Sequence, residues 1–274
     1  MRRSLFAAAL GAALALSLAF LLLPLIAIFV RVSPETLFGQ LGRSVATDAI
    51  VVTLKANAIA QGLILVIGTP TAYALARRFR GRELVITLVE LPLVLPPAVA
   101  GIALLAAFGR LGLLGGTFQA LGISIGFTQA AVVLAVTYVA SPFYLRQAIA
   151  AFESLDHTML DASRTLGAGP ARTFVRIAVP LASKGLAAGA ALAFARGIGE
   201  FGATIMFAGS LQGVTQTLSL AIYSQFDVDF DTALALGALL VLASALILLA
   251  AKLIPAWTRS TSTSPFPFAR SSSI

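Results

Sequence analysis

Six apolar stretches, at roughly 5–30, 50–76, 84–109, 127–150, 184–209 and 232–254, constrain this chain more than any other feature. Each reaches the length of about 20 mostly apolar residues that a helix needs to cross a bilayer. The second, third and fifth carry Pro or Gly interruptions. With 59% hydrophobic and 11% charged residues and a mean hydropathy of +0.97, the chain lies far from a water-soluble domain, in which about a quarter of residues are charged. The pattern predicts an all-α integral membrane protein with about six transmembrane helices.

The net charge of +8 would suit a nucleic-acid partner, but the placement of the charges argues for topology instead. With both termini in the cytosol, the inner segments hold Arg2, Arg3, Arg77, Arg78, Arg80, Arg82, Arg146, Arg164, Arg172, Arg176, Lys184, Lys252, Arg259 and Arg270. The outer loops then hold only Arg31, Arg43 and Arg110, with Lys55 and Arg196 inside spans. This asymmetry follows the positive-inside rule and puts residues 151–183 in the cytosol of a multi-pass cell-membrane protein. Two arginines before an apolar run have the outline of a secretory signal, but the run exceeds the usual 7–15 residues, which predicts an uncleaved first helix.

Three segments fall outside the spans. The tail of 258–274 is rich in Ser, Thr and Pro and reads as disordered. The Gly-rich outer segment 110–126 fits either a tight loop or a stretch lying in the interface. The outer loop 210–231 ends in Asp227, Asp229 and Asp231, with no Asn/Gly ligand loop beside them, and reads as a solvated rim rather than a cation site. Residues 1–44 form a first helix with its outer loop, 45–257 the main body.

Several chemistries lack their residues. The absence of cysteine removes disulfides, thiolate metal sites and a Cys nucleophile. There is no G-x-x-x-x-G-K-[ST] loop for ATP, and the one histidine, His157, has no triad or metal cluster around it. A transport role without an ATPase site, a metal or a cofactor of its own is the expectation.

The polar island Asp161-Ala162-Ser163-Arg164-Thr165-Leu166-Gly167, followed by Ile177-Ala178-Val179-Pro180, suits a docking loop. Asp161 at a helix start favours the positive end of the dipole, Ala162 and Ser163 let another surface approach, and Gly167 ends the helix where positive φ is needed. An amphipathic cytosolic linker would share these traits. The layout resembles the EAA loop of permease subunits of binding-protein-dependent ABC importers, with Asp161, Ser163 and Val179 as mild departures. The resemblance implies a type I importer permease fold in which this loop is the coupling helix for a separate ATPase.

Ionisable groups inside spans are costly, so each needs a reason. Lys55 lies near the outer end of its span and can snorkel. Glu90 precedes Pro92, Pro96 and Pro97 and suits either a bond to backbone freed by those prolines or a moving joint. Arg196 and Glu200, four residues apart near the middle of the fifth span, can pair on one helical face, and Gly197, Gly199 and Gly202 loosen that helix. A structural ion pair, a subunit interface and a pathway wall all fit.

Gly199-Glu200-Phe201-Gly202-Ala203-Thr204-Ile205-Met206-Phe207-Ala208-Gly209, Thr215-Gln216-Thr217-Leu218, and Leu91 through Pro97 are similar to the molybdate-transport permease branch, with sulfate and tungstate permeases as relatives. That branch implies a homodimer, two ATPase copies that bind ATP and Mg, and an extracytoplasmic molybdate-binding protein. A channel or secondary carrier is the competing expectation.

Overall fold

A computed structural model describes residues 2–260 as helices and turns, with no strand among them. The chain runs through α1 (Arg2–Arg31), α2 (Pro34–Leu41), α3 (Ser44–Leu75), α4 (Arg82–Val94), α5 (Pro97–Phe108), α6 (Gly115–Ala120) and α7 (Gln129–Glu153). It continues through α8 (His157–Thr165), α9 (Pro170–Thr173), a π-helical turn (Phe174–Ala178), α10 (Val179–Ile198), α11 (Gly202–Ala208), α12 (Leu218–Gln225) and α13 (Phe230–Ser260). Five helical runs are long and apolar enough to cross a membrane, six if α4 and α5 count as one bent span.

The core is a layer of small residues between α3, α7 and α10. Gly68 meets the Tyr144 ring, and Asn57 and Val136 both lie against Gly197, so α3 and α7 run parallel. Gly185 meets Ala151 and Gly189 meets Gln147, so α10 runs antiparallel to them. In hydrocarbon, where lipid competes as an apolar partner, such close backbone approach supplies the packing attraction. Thr69 Oγ1 and Tyr144 OH close the layer at 2.6 Å. The helix α1 is exposed throughout its spanning window and touches α13. Its leucines and phenylalanines are the lipid-facing surface expected of a peripheral span.

Two of the expected interruptions are sharp breaks, and one expectation needs correction. The third span is not straight: α4 and α5 meet at 113° across Leu95-Pro96, because Pro96 and Pro97 cannot donate to a continuing helix. The fifth span breaks over Gly199–Phe201 into α10 and α11. The 210–231 segment is no plain outer rim. Thr215 to Ala221 are buried, Leu218 N–H donates to Thr53 Oγ1 (2.8 Å), and Ser219 Oγ reaches Ile198 O (3.5 Å), so the segment folds back beside the break.

At 110–126 the chain turns tightly, with Leu113 and Leu114 N–H bonding Ala106 and Ala107 O, and α6 follows. Of the acidic trio, Asp229 caps α13 through Thr232 N–H and pairs with Arg43 Nη1 at 2.5 Å, while Asp227 and Asp231 are exposed. The helix α13 carries through 258–260, and the rest of the expected tail, 261–274, lies outside the described residues.

Candidate functional site

The loop between α7 and α10 is a projection built of α8, α9 and the π-helical turn. Asp156 Oδ1 accepts from Thr158 N–H (2.9 Å) and caps α8, so the helix start belongs to Asp156, and Asp161 sits a turn further in, on the exposed side. That corrects the expected role of Asp161. Leu160 is buried, and Ser163 turns inward: its hydroxyl donates to Leu160 O (2.7 Å) and stands 3.1 Å from Thr173 Oγ1. Of the two small residues, Ala162 alone faces outward.

Gly167 adopts φ +83°, the left-handed conformation that ends α8, and Ala168 N–H returns to Ser163 O at 3.0 Å. Ile177 is half-buried and packs on the core, and Pro180 is exposed in the first turn of α10. Met159, Leu166 and Leu181 are exposed apolar side chains around an open groove of about 580 Å³ that also touches Ala162, Arg176, Ile177 and Pro180. Leu166 is 88% exposed and adds to this contiguous apolar patch.

The projection is tied to the bundle by aromatic rings. Phe174 packs at 4.8 Å and a 42° tilt on Tyr73, which meets Phe152 edge-on at 5.2 Å, and the Arg77 guanidinium lies 4.5 Å over Tyr73. Arg82 binds Leu75 O through Nε (2.7 Å) and pairs with Glu83 and Glu153. The packed rings join the turn after α9 to the ends of α3 and α7.

The second locus is the helix break. Arg196 Nη2 stands 2.6 Å from Glu200 Oε2, close as charges though not aligned as a hydrogen bond. Glu200 is 1% exposed, and its Oε1 accepts from Ala203 N–H (2.7 Å), so one carboxylate neutralises Arg196 and caps α11. The pair spans the end of α10 rather than one continuous helical face. Thr204 Oγ1 donates to Phe201 O (2.8 Å), and the Phe201 ring meets Tyr223 of α12 at 5.2 Å. Gly199 is exposed with open space at its Cα.

Gly202 lies so near Pro97 that a Cβ would come within 2.7 Å, and one on Gly101 within 2.6 Å of Ala203 O. The break in the fifth span thus packs directly on the bend of the third. Pro92 lies inside α4, Pro96 and Pro97 at the bend. Glu90 faces Arg146 Nε at 3.8 Å, on α7, instead of backbone freed by the prolines.

Sequence reading missed the polar lining of the fold-back: Thr53, Asn57, Gln216, Thr217 and Ser219 are all buried. Gln216 Nε2 donates to Ser210 (3.2 Å) and Ser224 (3.1 Å) hydroxyls. The signal in the sequence is the uncharged polar run Thr215-Gln216-Thr217 in an otherwise loop-like segment. Among the described residues no three His, Asp or Glu side chains gather as a metal site.

The family model for the binding-protein-dependent transport system inner membrane component matches residues 64–259. The molybdenum transport system permease protein ModB of Mycobacterium tuberculosis is 45% identical over 232 residues, 84% of this chain and 88% of that protein. The Escherichia coli protein of the same name is 39% identical over 179 residues, 65% and 78% of the two chains. Among solved structures, a bacterial alginate ABC transporter in complex with its oligosaccharide-bound periplasmic protein superposes with a TM-score of 0.75 at 16% identity, covering 96% and 97% of the chains. The MetNI methionine ABC transporter in an inward-facing conformation superposes at 0.57 and 21% identity, over 76% and 94%.

Proposed function

Because this chain belongs to the family of inner membrane components of binding-protein-dependent transport systems, we propose that it is the permease subunit of an ATP-driven importer that carries molybdate into the cytoplasm by alternating access. The observation that carries the choice of anion is the 45% identity, over 84% of the chain, to a protein named for molybdenum transport. Two copies of the chain form the pathway, two ATPase subunits supply ATP and Mg chemistry, and an extracytoplasmic binding protein delivers the anion. Both termini face the cytosol, and so does the loop of residues 154–178.

The ATPase grips the groove lined by Met159, Ala162, Leu166 and Pro180, with Asp161 on the same exposed side and Gly167 setting the turn. Closure of the ATPase dimer pulls on α8, the Tyr73–Phe152–Phe174 cluster passes the pull to α3 and α7, and the packed bends at Leu95-Pro96 and Gly199–Phe201 shift together. Arg196 is neutralised by Glu200, so the path offers an anion little net charge to cling to, which favours release over storage.

The test is uptake of molybdate, tungstate and sulfate into proteoliposomes holding this chain with its ATPase and binding protein, with and without internal ATP. ATP-dependent uptake strongest for molybdate is expected. Uptake without ATP would mean a channel or secondary carrier, and ATP-dependent uptake of sulfate or tungstate alone would overturn the anion.

A further inference from the structure

On the face of the molecule away from α8, a groove of about 380 Å³ runs between the N-terminal halves of α3 and α7. Its floor is apolar, with Ala56, Ile59 and Leu63 on one side and Val133 and Leu134 on the other. The polar side chains of its lining are Lys55 and, in the first turn of α7, Gln129. Because α3 and α7 run parallel, with Asn57 level with Val136 and Gly68 level with Tyr144, Lys55 lies about level with Leu134, in the second turn of α7. The membrane boundary opposite the 154–178 loop falls close by, since a loop precedes Gln129.

Lys55 is exposed and has no ion pair or hydrogen bond among the described residues, although its helix is long and apolar enough to cross a membrane. A lysine in this setting has an external anion to meet, and its methylene stem lets the ammonium rise to the headgroup level. From Lys55 to Leu63 the groove extends about 12 Å at 1.5 Å per residue. One leaflet of hydrocarbon is about 15 Å deep, half of the ~30 Å core. A cation at the boundary and an apolar trench beneath it, one leaflet deep, match a lipid with a negative headgroup.

We propose that this groove is a binding site for one anionic phospholipid of the leaflet opposite the coupling loop, its phosphate on Lys55 and Gln129 and one acyl chain between Ile59, Leu63, Val133 and Leu134. Charge complementarity selects an anionic headgroup over a zwitterionic one.

The test is native mass spectrometry of the full-length chain, purified in mild detergent and offered phosphatidylglycerol and phosphatidylcholine with identical acyl chains. The wild type is expected to retain one phosphatidylglycerol per chain with a preference of about fivefold, the effect of one basic residue at a membrane surface. Lys55→Gln should lose the preference and Lys55→Arg keep it. Ala130→Trp, which fills the exposed rim while leaving Lys55, should lose the bound lipid. Unchanged preference in Lys55→Gln would overturn the site, and so would preference kept in Ala130→Trp, which would mean diffuse charge attraction. Because the chain has no cysteine, Ile59→Cys reports a competing occupant cleanly. Disulfide-linked dimers of that variant in native membranes would mean that a second copy covers the groove, and would also overturn it.

Discussion

Glu200 joins two jobs that are usually separate, neutralising Arg196 and capping a helix with its other oxygen. Glu200→Gln keeps an acceptor for Ala203 N–H but leaves the guanidinium uncompensated in an apolar setting. It should cost about 3 kcal/mol, the lower end for breaking a buried pair, because Arg196 is 27% exposed. The double variant Arg196→Met/Glu200→Gln should recover most of that loss, measured as Tm in detergent. A double variant no more stable than the single one would refute the pairing. At the start of α13, the Asp229 carboxyl is held below the usual carboxylate range by Thr232 N–H, then the Thr232 hydroxyl, with Arg43 contributing. A lowered value in the folded state means stability fully present above the unfolded value of about 3.9 and lost as pH falls through the folded one. Asp229→Asn should therefore flatten the acid-side fall of Tm below about pH 4, and an identical acid slope would count against the linkage. The Arg196 and Glu200 pairing was readable from their spacing. The cap was not, because it depends on where the backbone leaves the helix, and three nearby glycines permit a break without fixing its position.

Helices α5 and α11 meet through their smallest residues, and that contact welds the bend of the third span to the break of the fifth. A Cβ on Gly101 would stand 2.6 Å from Ala203 O and 2.8 Å from Met206 Cβ, both on one short helix that cannot retreat without leaving α7. Gly101→Val should cost about 1–3 kcal/mol by overpacking. Gly62→Val, at a position with open space, serves as its control for adding a β-branched side chain to a helix. Equal Tm losses for the two would remove the crossing as the cause. The apolar runs were legible because membrane helices satisfy their backbone locally, so composition alone reports them. The fold-back of 210–225 was illegible for the opposite reason. Its Leu218 N–H and Ser219 hydroxyl find partners in Thr53 and Ile198, remote in sequence, and nothing in a local window distinguishes buried Thr217 from a wet one.

For the whole molecule, what matters is that the surface proposed to receive force is separate from the residues that hold the fold. Ser163, Leu160 and Phe174 anchor the α8 projection inward, while Leu166, Met159 and Ala162 face out. The spacing of the Asp161 to Pro180 motif made this loop findable, yet only the folded chain separates its buried serine from its exposed alanine. Gly167→Leu meets no neighbour but forces a side chain into φ +83°, at about 1–2 kcal/mol. It should re-aim the turn, letting the ATPase run while anion uptake falls, and uptake at the wild-type level would exclude this role. Leu166→Asp is the sharper probe. The side chain is 88% exposed, so its loss leaves Tm and membrane insertion unchanged. If an ATPase groove buries it, the lost contact of about 1.5–3 kcal/mol weakens ATPase binding by roughly ten- to a hundredfold. Affinity of the ATPase for detergent-solubilised wild type and Leu166→Asp measures this directly. Equal affinities would move the docking surface off α8, whereas weaker binding at unchanged Tm would assign the exposed apolar face to the motor subunit.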